Sequence, residues 1–206
     1  LPVFAVYPMP IQTASETEAV YLFNADTGKT LLTQNADQPR YVASLTKMMT
    51  ALLLLESGKD LNGEVTVPTA LTQEFRDIQN ANGTTMGLRI GETVRRIDLL
   101  NALLITSAND AASVIASDVS GGDLTAFVAQ MNARAKELGC TDTTFTCVHG
   151  LYDYGNVSTA EDLAKIAAAC YANETYMQAA NTLTYTLPAT NLHQNERTIK
   201  STNLML

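Results

Sequence analysis

An α+β fold is predicted for this chain by three observations: β-prone runs near the start, apolar helical periodicity through the middle, and a β-prone run returning near the end. The 206 residues, 46% of them hydrophobic, suffice for one domain of ordinary size with a real core.

Ala19 to Asn24 and Thr30 to Gln34 are β-prone and flank Ala25-Asp26-Thr27-Gly28-Lys29, which reads as an antiparallel hairpin with Gly28 supplying the positive φ of its turn. Ser44 to Glu56 is a strongly apolar helix that stops near Gly58, and Glu64 to Val67 is a short strand before Pro68. Thr84 to Val94, with alternating apolar residues and two glycines, reads as a second hairpin. Helices follow at Arg96 to Ile105, Ala108 to Val119 and Leu124 to Leu138, the last stopped by Gly139. Thr143 to Cys147 reads as a strand. Ser158-Thr159-Ala160-Glu161 resembles a capping box opening a helix to about Cys170, and Leu183 to Leu187 is a final strand before Pro188. No internal repeat, low-complexity stretch or interdomain linker interrupts the pattern.

Lys+Arg 13 against Asp+Glu 21 gives a net charge of -8, which argues against nucleic acid or an anionic membrane surface as the main partner. No stretch approaches the roughly 18 uninterrupted apolar residues of a transmembrane helix. Cys140 and Cys147 bracket a short segment and could pair in an exported protein, or stay free thiols like Cys170; the cysteines and the two histidines, His149 and His193, show no zinc-ligand spacing. No metal or cofactor is expected.

Ser44-Leu45-Thr46-Lys47 opens the apolar helix. One helical turn separates serine from lysine, so an amine comes within reach of a hydroxyl at a helix N-terminus, where free N–H groups favour developing negative charge. A serine needs an adjacent base to become a nucleophile, and a lysine whose pKa is lowered by burial can be that base. The tetrad alone is expected about once by chance in a chain of this length. A second constellation, Ser107-Ala108-Asn109, occupies a polar turn between two apolar helices and would form a cleft wall, unless Ser107 or Asn109 merely caps the following helix. Ser201-Thr202-Asn203 has the same pattern but lies outside any helical junction. His149, before Gly150, reads as a cleft-wall residue rather than as an acid or base.

With Ala43 before it and Met48-Met49-Thr50-Ala51-Leu52-Leu53 after it, the tetrad resembles the first motif of the D-alanyl-D-alanine carboxypeptidases, the low-molecular-mass penicillin-binding proteins. Asp26-Thr27-Gly28-Lys29, Asn35-Ala36-Asp37, Gly91-Glu92-Thr93-Val94, Ser107-Ala108-Asn109-Asp110-Ala111-Ala112, Lys136-Glu137-Leu138-Gly139 and His149-Gly150-Leu151 stand in the same order as in that family. The resemblance implies a β-lactamase/transpeptidase-like fold, an antiparallel sheet with a helical subdomain. Residues 1–18 would be an N-terminal extension and residues 19–206 a catalytic domain whose C-terminal strands are missing from this chain.

It also implies cleavage of the terminal D-Ala-D-Ala bond of peptidoglycan stem peptides through an acyl-enzyme. Ser44 would be the nucleophile, Lys47 its base, Ser107 a proton relay to the departing D-alanine, and Asn109 a holder of the substrate amide that also anchors Lys47. The Ser44 N–H would form half of an oxyanion hole. β-Lactam antibiotics would acylate Ser44, and the enzyme would work outside the cytoplasmic membrane, with no membrane anchor in this chain.

The family's Lys-Thr-Gly strand is expected beyond Asn203-Leu204. Lys200-Ser201-Thr202 is a poor substitute, because threonine stands where glycine lets a strand approach the ligand backbone. Two alternatives follow: a β-lactamase of the same superfamily, or a non-catalytic cell-wall-binding relative lacking Lys-Thr-Gly. Against the first, no glutamate has asparagine four residues on, and Tyr171-Ala172-Asn173 sits at a helix end far from the serine.

Overall fold

The computed structural model describes residues 15–151 and 153–203. Its elements run β1 (Val20–Phe23), β2 (Thr30–Gln34), β3 (Arg40–Tyr41), α1 (Thr46–Glu56), β4 (Glu64–Thr66), α2 (Thr72–Asn80), β5 (Thr93–Arg95), α3 (Arg96–Ile105), α4 (Asn109–Ser120), α5 (Leu124–Glu137), β6 (Val157–Ser158), α6 (Ala160–Tyr171), α7 (Glu174–Ala180), β7 (Thr184–Leu187) and β8 (Arg197–Lys200). The class is α+β as expected. Among the described residues the strands form four antiparallel two-stranded ribbons, β1-β2, β3-β6, β4-β5 and β7-β8.

Helix α1 sits at the centre because it is apolar nearly all round, the pattern of a buried helix. Met49, Ala51, Leu52 and Leu54 are at most 2% exposed, and α1 packs against α3, α4, α5 and α6. The α4 face is short-chained: Ala111, Ala112 and Ala116 are fully buried and let the two helix backbones approach. Among the described residues no helix is long and apolar enough to cross a membrane.

Two expected strands are overturned for one physical reason: side-chain acceptors take the backbone donors that a ladder would need. In the expected hairpin over Thr84 to Val94 only Thr93–Arg95 is a strand, and it pairs with β4. Met86 N and Leu88 N instead donate to the Asp110 carboxylate at 3.0 and 2.9 Å, and Arg89 N donates to Glu92 at 3.0 Å. In the expected strand Thr143 to Cys147, only Thr144 bridges Val157. Phe145 N donates to Asn132 Oδ1 at 2.8 Å and Thr146 N to Asn156 Oδ1 at 3.3 Å.

The capping box is displaced by one residue. Thr159 is the N-cap of α6, its hydroxyl accepting Asp162 N at 3.1 Å, while Ser158 lies in β6 and bonds Thr143. Helices α2 and α7 and strands β3 and β8 were not anticipated. Asn173, in the Tyr-Ala-Asn string, caps α7 by accepting Tyr176 N at 3.0 Å. Cys140, Cys147 and Cys170 are all free thiols. Of the expected N-terminal extension, residues 1–14 lie outside the described residues. Ser15 O and Glu18 O accept Gln34 Nε2, at 2.9 and 3.0 Å.

The β7-β8 hairpin is fastened to the loop before β5 through Glu92, which is fully buried. Its carboxylate accepts Arg197 Nη2 at 2.7 Å and Thr190 Oγ1 at 3.0 Å, while Arg197 Nη1 donates to Met86 O at 3.2 Å. Removing one partner of a buried ion pair leaves the other charge uncompensated. Glu92→Ala is therefore expected to lower stability by about 3 kcal/mol in urea denaturation, and Arg197→Leu in the same background should restore part of that loss.

Candidate active site

The chain reaches Ser44 through a strained step. Ala43 has φ +44, a left-handed conformation that costs a residue with a Cβ, and it opens the 3₁₀ turn Ala43–Leu45 that feeds α1. The turn's first hydrogen bond runs from Leu45 N to Val42 O at 3.0 Å, so the Ser44 N–H stands ahead of it at the helix start. Ser44 is exposed, whereas Lys47, one turn on, is 3% exposed.

Lys47 Nζ donates to Ser44 Oγ at 3.1 Å and to His149 O at 2.6 Å. No carboxylate pairs with it among the described residues. Burial lowers its pKa from 10.5 to about 8, against the opposing pull of the nearby Cys147 sulfur. The pairing expected from sequence spacing is thus realised, with a partner the spacing did not reveal.

The segment that brings the His149 carbonyl in is clamped onto α1. Thr50 Oγ1 donates to Val148 O at 2.5 Å, and Asn156 Nδ2 donates to Thr46 Oγ1 at 2.8 Å. Gly150 closes the clamp. Its φ is +81, and a Cβ there would lie 1.8 Å from Ala43 O, so only glycine lets this backbone rest on the residue before Ser44. The His149 ring points to a different cluster. Its Nδ1 lies 3.1 Å from Leu151 N, and its Nε2 lies 3.1 Å from Glu74 Oε1.

Ser107 lies in the α3–α4 turn and Asn109 is the first residue of α4, at the helix junction expected. Neither caps α4: its N-cap is Ala108, with no side-chain cap. Ser107 has φ +58, a second strained residue at the site. Asn109 N and Nδ2 both donate to Thr84 O, at 2.8 and 2.9 Å, and Asn109 Oδ1 is buried without a partner. Asn109 therefore does not anchor Lys47 as the resemblance suggested; the His149 carbonyl takes that place. Asp110, next in sequence, holds the Met86–Leu88 loop. Burial raises its pKa against the pull of the backbone N–H groups it accepts.

Lys200 ends β8, Ser201-Thr202 follow it, and Thr202 N donates to Ile105 O at 3.3 Å, just before the Ser107 turn. A cavity of about 430 Å³ lined by Phe75, Ile78, Gly83, Leu88 and Asp110 lies beside the Asn109 anchor. Among the described residues no cluster of three or more His, Cys, Asp or Glu could hold a metal ion. Sequence reading missed Glu74, Cys147, Thr84 and Asn156. Glu74, Thr84 and Asn156 meet their partners 75, 25 and 110 residues away in sequence, separations that local spacing does not signal.

A family model described as D-alanyl-D-alanine carboxypeptidase matches residues 8–206. Among curated relatives, the D-alanyl-D-alanine endopeptidase of Pseudomonas aeruginosa is 34% identical over 161 residues, covering 78% of this chain and 49% of the relative. D-alanyl-D-alanine carboxypeptidase DacF of Bacillus subtilis is 33% identical over 159 residues, 76% of this chain and 39% of its own length. The chain thus spans less than half the length of these two relatives. The crystal structure of the Streptomyces K15 DD-transpeptidase superposes with a TM-score of 0.81 at 32% identity, covering 90% of this chain and 73% of that one. D-alanyl-D-alanine carboxypeptidase from Mycobacterium tuberculosis does so at 0.77 and 30% identity, covering 94% and 72%.

Gly150→Ala is expected to cost at least about 3 kcal/mol in thermal or urea unfolding, since the new methyl meets a fixed carbonyl. Gly139→Ala, at φ +78 but facing open space, should cost only about 1 kcal/mol, and the difference isolates the close approach. Lys47 gives a pH signature. Because its folded pKa, about 8, lies below its unfolded value of 10.5, the unfolded chain binds more protons between them. Stability should therefore be lowest below about pH 8 and rise by about 3 kcal/mol towards pH 10.5. Lys47→Met should flatten that rise in denaturation curves measured across the range.

Proposed function

The chain belongs to the D-alanyl-D-alanine carboxypeptidase family, and we propose that it carries the acylation machinery of a serine D-Ala-D-Ala carboxypeptidase acting on peptidoglycan stem peptides. The observation that carries this reading is Lys47 Nζ at 3.1 Å from an exposed serine hydroxyl, buried, and with its pKa pulled to about 8. In the neutral amine, one N–H continues to bond His149 O while the lone pair turns to the Ser44 hydroxyl.

Ser44 Oγ then attacks the carbonyl carbon of the penultimate D-alanine as its proton passes to Lys47. The Ser44 N–H, at the helix start, faces the developing oxyanion. The C–N bond breaks as the departing D-alanine amine takes a proton through Ser107, and water releases the acyl group from Ser44. The unpartnered Asn109 Oδ1 suits an acceptor for a substrate amide N–H.

β-Lactam antibiotics, as mimics of D-Ala-D-Ala, are the second ligand class of this reading. A peptidoglycan substrate places the protein outside the cytoplasmic membrane. Residues 19–206 would form the catalytic domain, with residues 1–18 as an extension to it.

Labelled penicillin tests this directly. Mass spectrometry should find a covalent adduct on Ser44, absent in Ser44→Ala and formed at least about 10²-fold more slowly in Lys47→Met. The acylation rate should climb with pH along a limb centred near 8, as Lys47 loses its proton. An adduct elsewhere, or a rate indifferent to pH and to Lys47, would overturn the reading.

A further inference from the structure

The Ser44–Lys47 chemistry leaves unused a second set of reactive groups immediately behind it: Glu74, His149 and Cys147. Glu74 Oε1 receives His149 Nε2 at 3.1 Å and Ser113 Oγ at 2.9 Å. Gly150 N donates to Cys147 Sγ at 3.2 Å. These residues border a cavity of about 240 Å³, closed on its other side by Leu124, Thr125 and Val128 of α5.

The three thiols of the chain differ sharply in setting. Cys140 and Cys170 are buried, and burial pushes them up to about 11 and about 12. Cys147 is half-buried at the cavity wall. Burial raises its pKa too, but the hydrogen bond and charge of His149 and the backbone N–H groups of Gly150 and His149 outweigh that and leave it below the ordinary thiol value. The same interactions, with Glu74, raise His149 against its own burial and lower Glu74.

We propose that Cys147 is a modification site for small hydroperoxides, admitted through the cavity between α2, α5 and the Thr146–His149 segment. The thiolate attacks one peroxide oxygen, the S–O bond forms as the O–O bond breaks, and the departing alkoxide or hydroxide takes a proton from water, leaving a sulfenic acid. A molecule of two to a few heavy atoms fits a cavity of about 240 Å³.

The consequence for Ser44 rests on the acyl-enzyme reading. Oxidation adds an atom to the sulfur that Gly150 N–H bonds. Gly150 cannot yield towards Ala43 O, where even a Cβ would lie at 1.8 Å. The strain therefore falls on His149, whose carbonyl holds Lys47 at 2.6 Å.

Peroxide at pH 7 followed by a sulfenic-acid-specific dione probe and peptide mapping should label Cys147 at least about tenfold over Cys140 and Cys170. His149→Gln, which keeps the backbone carbonyl, should reduce that labelling, and Cys147→Ser should abolish it. Even labelling of the three thiols, or labelling unchanged in His149→Gln, would overturn the site. In a second arm, penicillin acylation of Ser44 should fall after peroxide and recover with dithiothreitol. The rate in Cys147→Ser, whatever its starting value, should be insensitive to peroxide; an equal loss there would refute the coupling. A native chain that no penicillin acylates before oxidation would sink the acyl-enzyme reading alone, because the dione probe judges the thiol site by itself.

Discussion

Everything around the site depends on one buried amine that, among the described residues, has no carboxylate beside it. Lys47 is 3% exposed, and its partners are a carbonyl oxygen and a serine hydroxyl. An ion pair would hold the amine charged over the whole working range and leave no base. A carbonyl can accept from ammonium and amine alike, so it tethers the nitrogen without dictating its protonation. The requirement then passes to the loop that supplies the carbonyl. Val148 O is fixed by Thr50, Thr46 by Asn156, and Gly150 is pressed onto Ala43. Each of these contacts ties the Val148–Asn156 stretch to the start of α1 or to the 3₁₀ turn that feeds it.

The two turns that present the serines share a backbone feature. Ala43 at φ +44 and Ser107 at φ +58 are held in the left-handed region, which Asn35 and Asn82, at φ +47 and +53, occupy at little cost. Alanine and serine remain there because their surroundings over-determine them. Ala43 is trapped between the Gly150 backbone and the 3₁₀ turn. Ser107 is trapped between the end of α3, where Thr106 N and Ala108 N both return to Ala102 O at 3.2 and 3.3 Å, and the Asn109–Thr84 bonds. Side-chain-to-backbone bonds then carry the constraint outward, from Asp110 to the Met86–Leu88 loop and from Glu92 to β8.

How far the sequence revealed this follows from the range of each interaction. Helix α3 was legible to the residue, and α4 and α5 to within one at each end, because their apolar periodicity is local and strong. Helix α2 was invisible: Phe75 and Ile78 are too few among its polar residues to signal a period. The segments at Thr84 to Val94 and Thr143 to Cys147 alternate like strands, yet their donors go to Asp110, Glu92, Asn132 and Asn156, choices that only tertiary placement decides. The Ser44–Lys47 pair needed only a separation of three residues, whereas the Lys47–His149 bond spans 102. Motif spacing could find the first and not the second. The free Asn109 Oδ1 shows the same limit from the other side, since the motif marked the residue but not which of its atoms would be left without a partner.

The relatives' names separate into carboxypeptidase, endopeptidase and transpeptidase, at similar identities to this chain. On the acyl-enzyme reading, what such activities have in common is formation of the serine ester, and what divides them is the amine that leaves and the acceptor that arrives. The contacts that would make Ser44 a nucleophile lie within its first turn and on the Val148–Gly150 loop. Groups placed there can set the basicity of Lys47 without touching a leaving amine or an acceptor. On the same reading the front of the site would be formed by the Ser107 turn and by Asn109, whose position is set through Thr84 and the loop that Asp110 holds. On that reading choice of acceptor would be separable from activation of the serine, because substitutions in the Thr84–Leu88 loop would move Asn109 while the lysine and its carbonyl stay fixed.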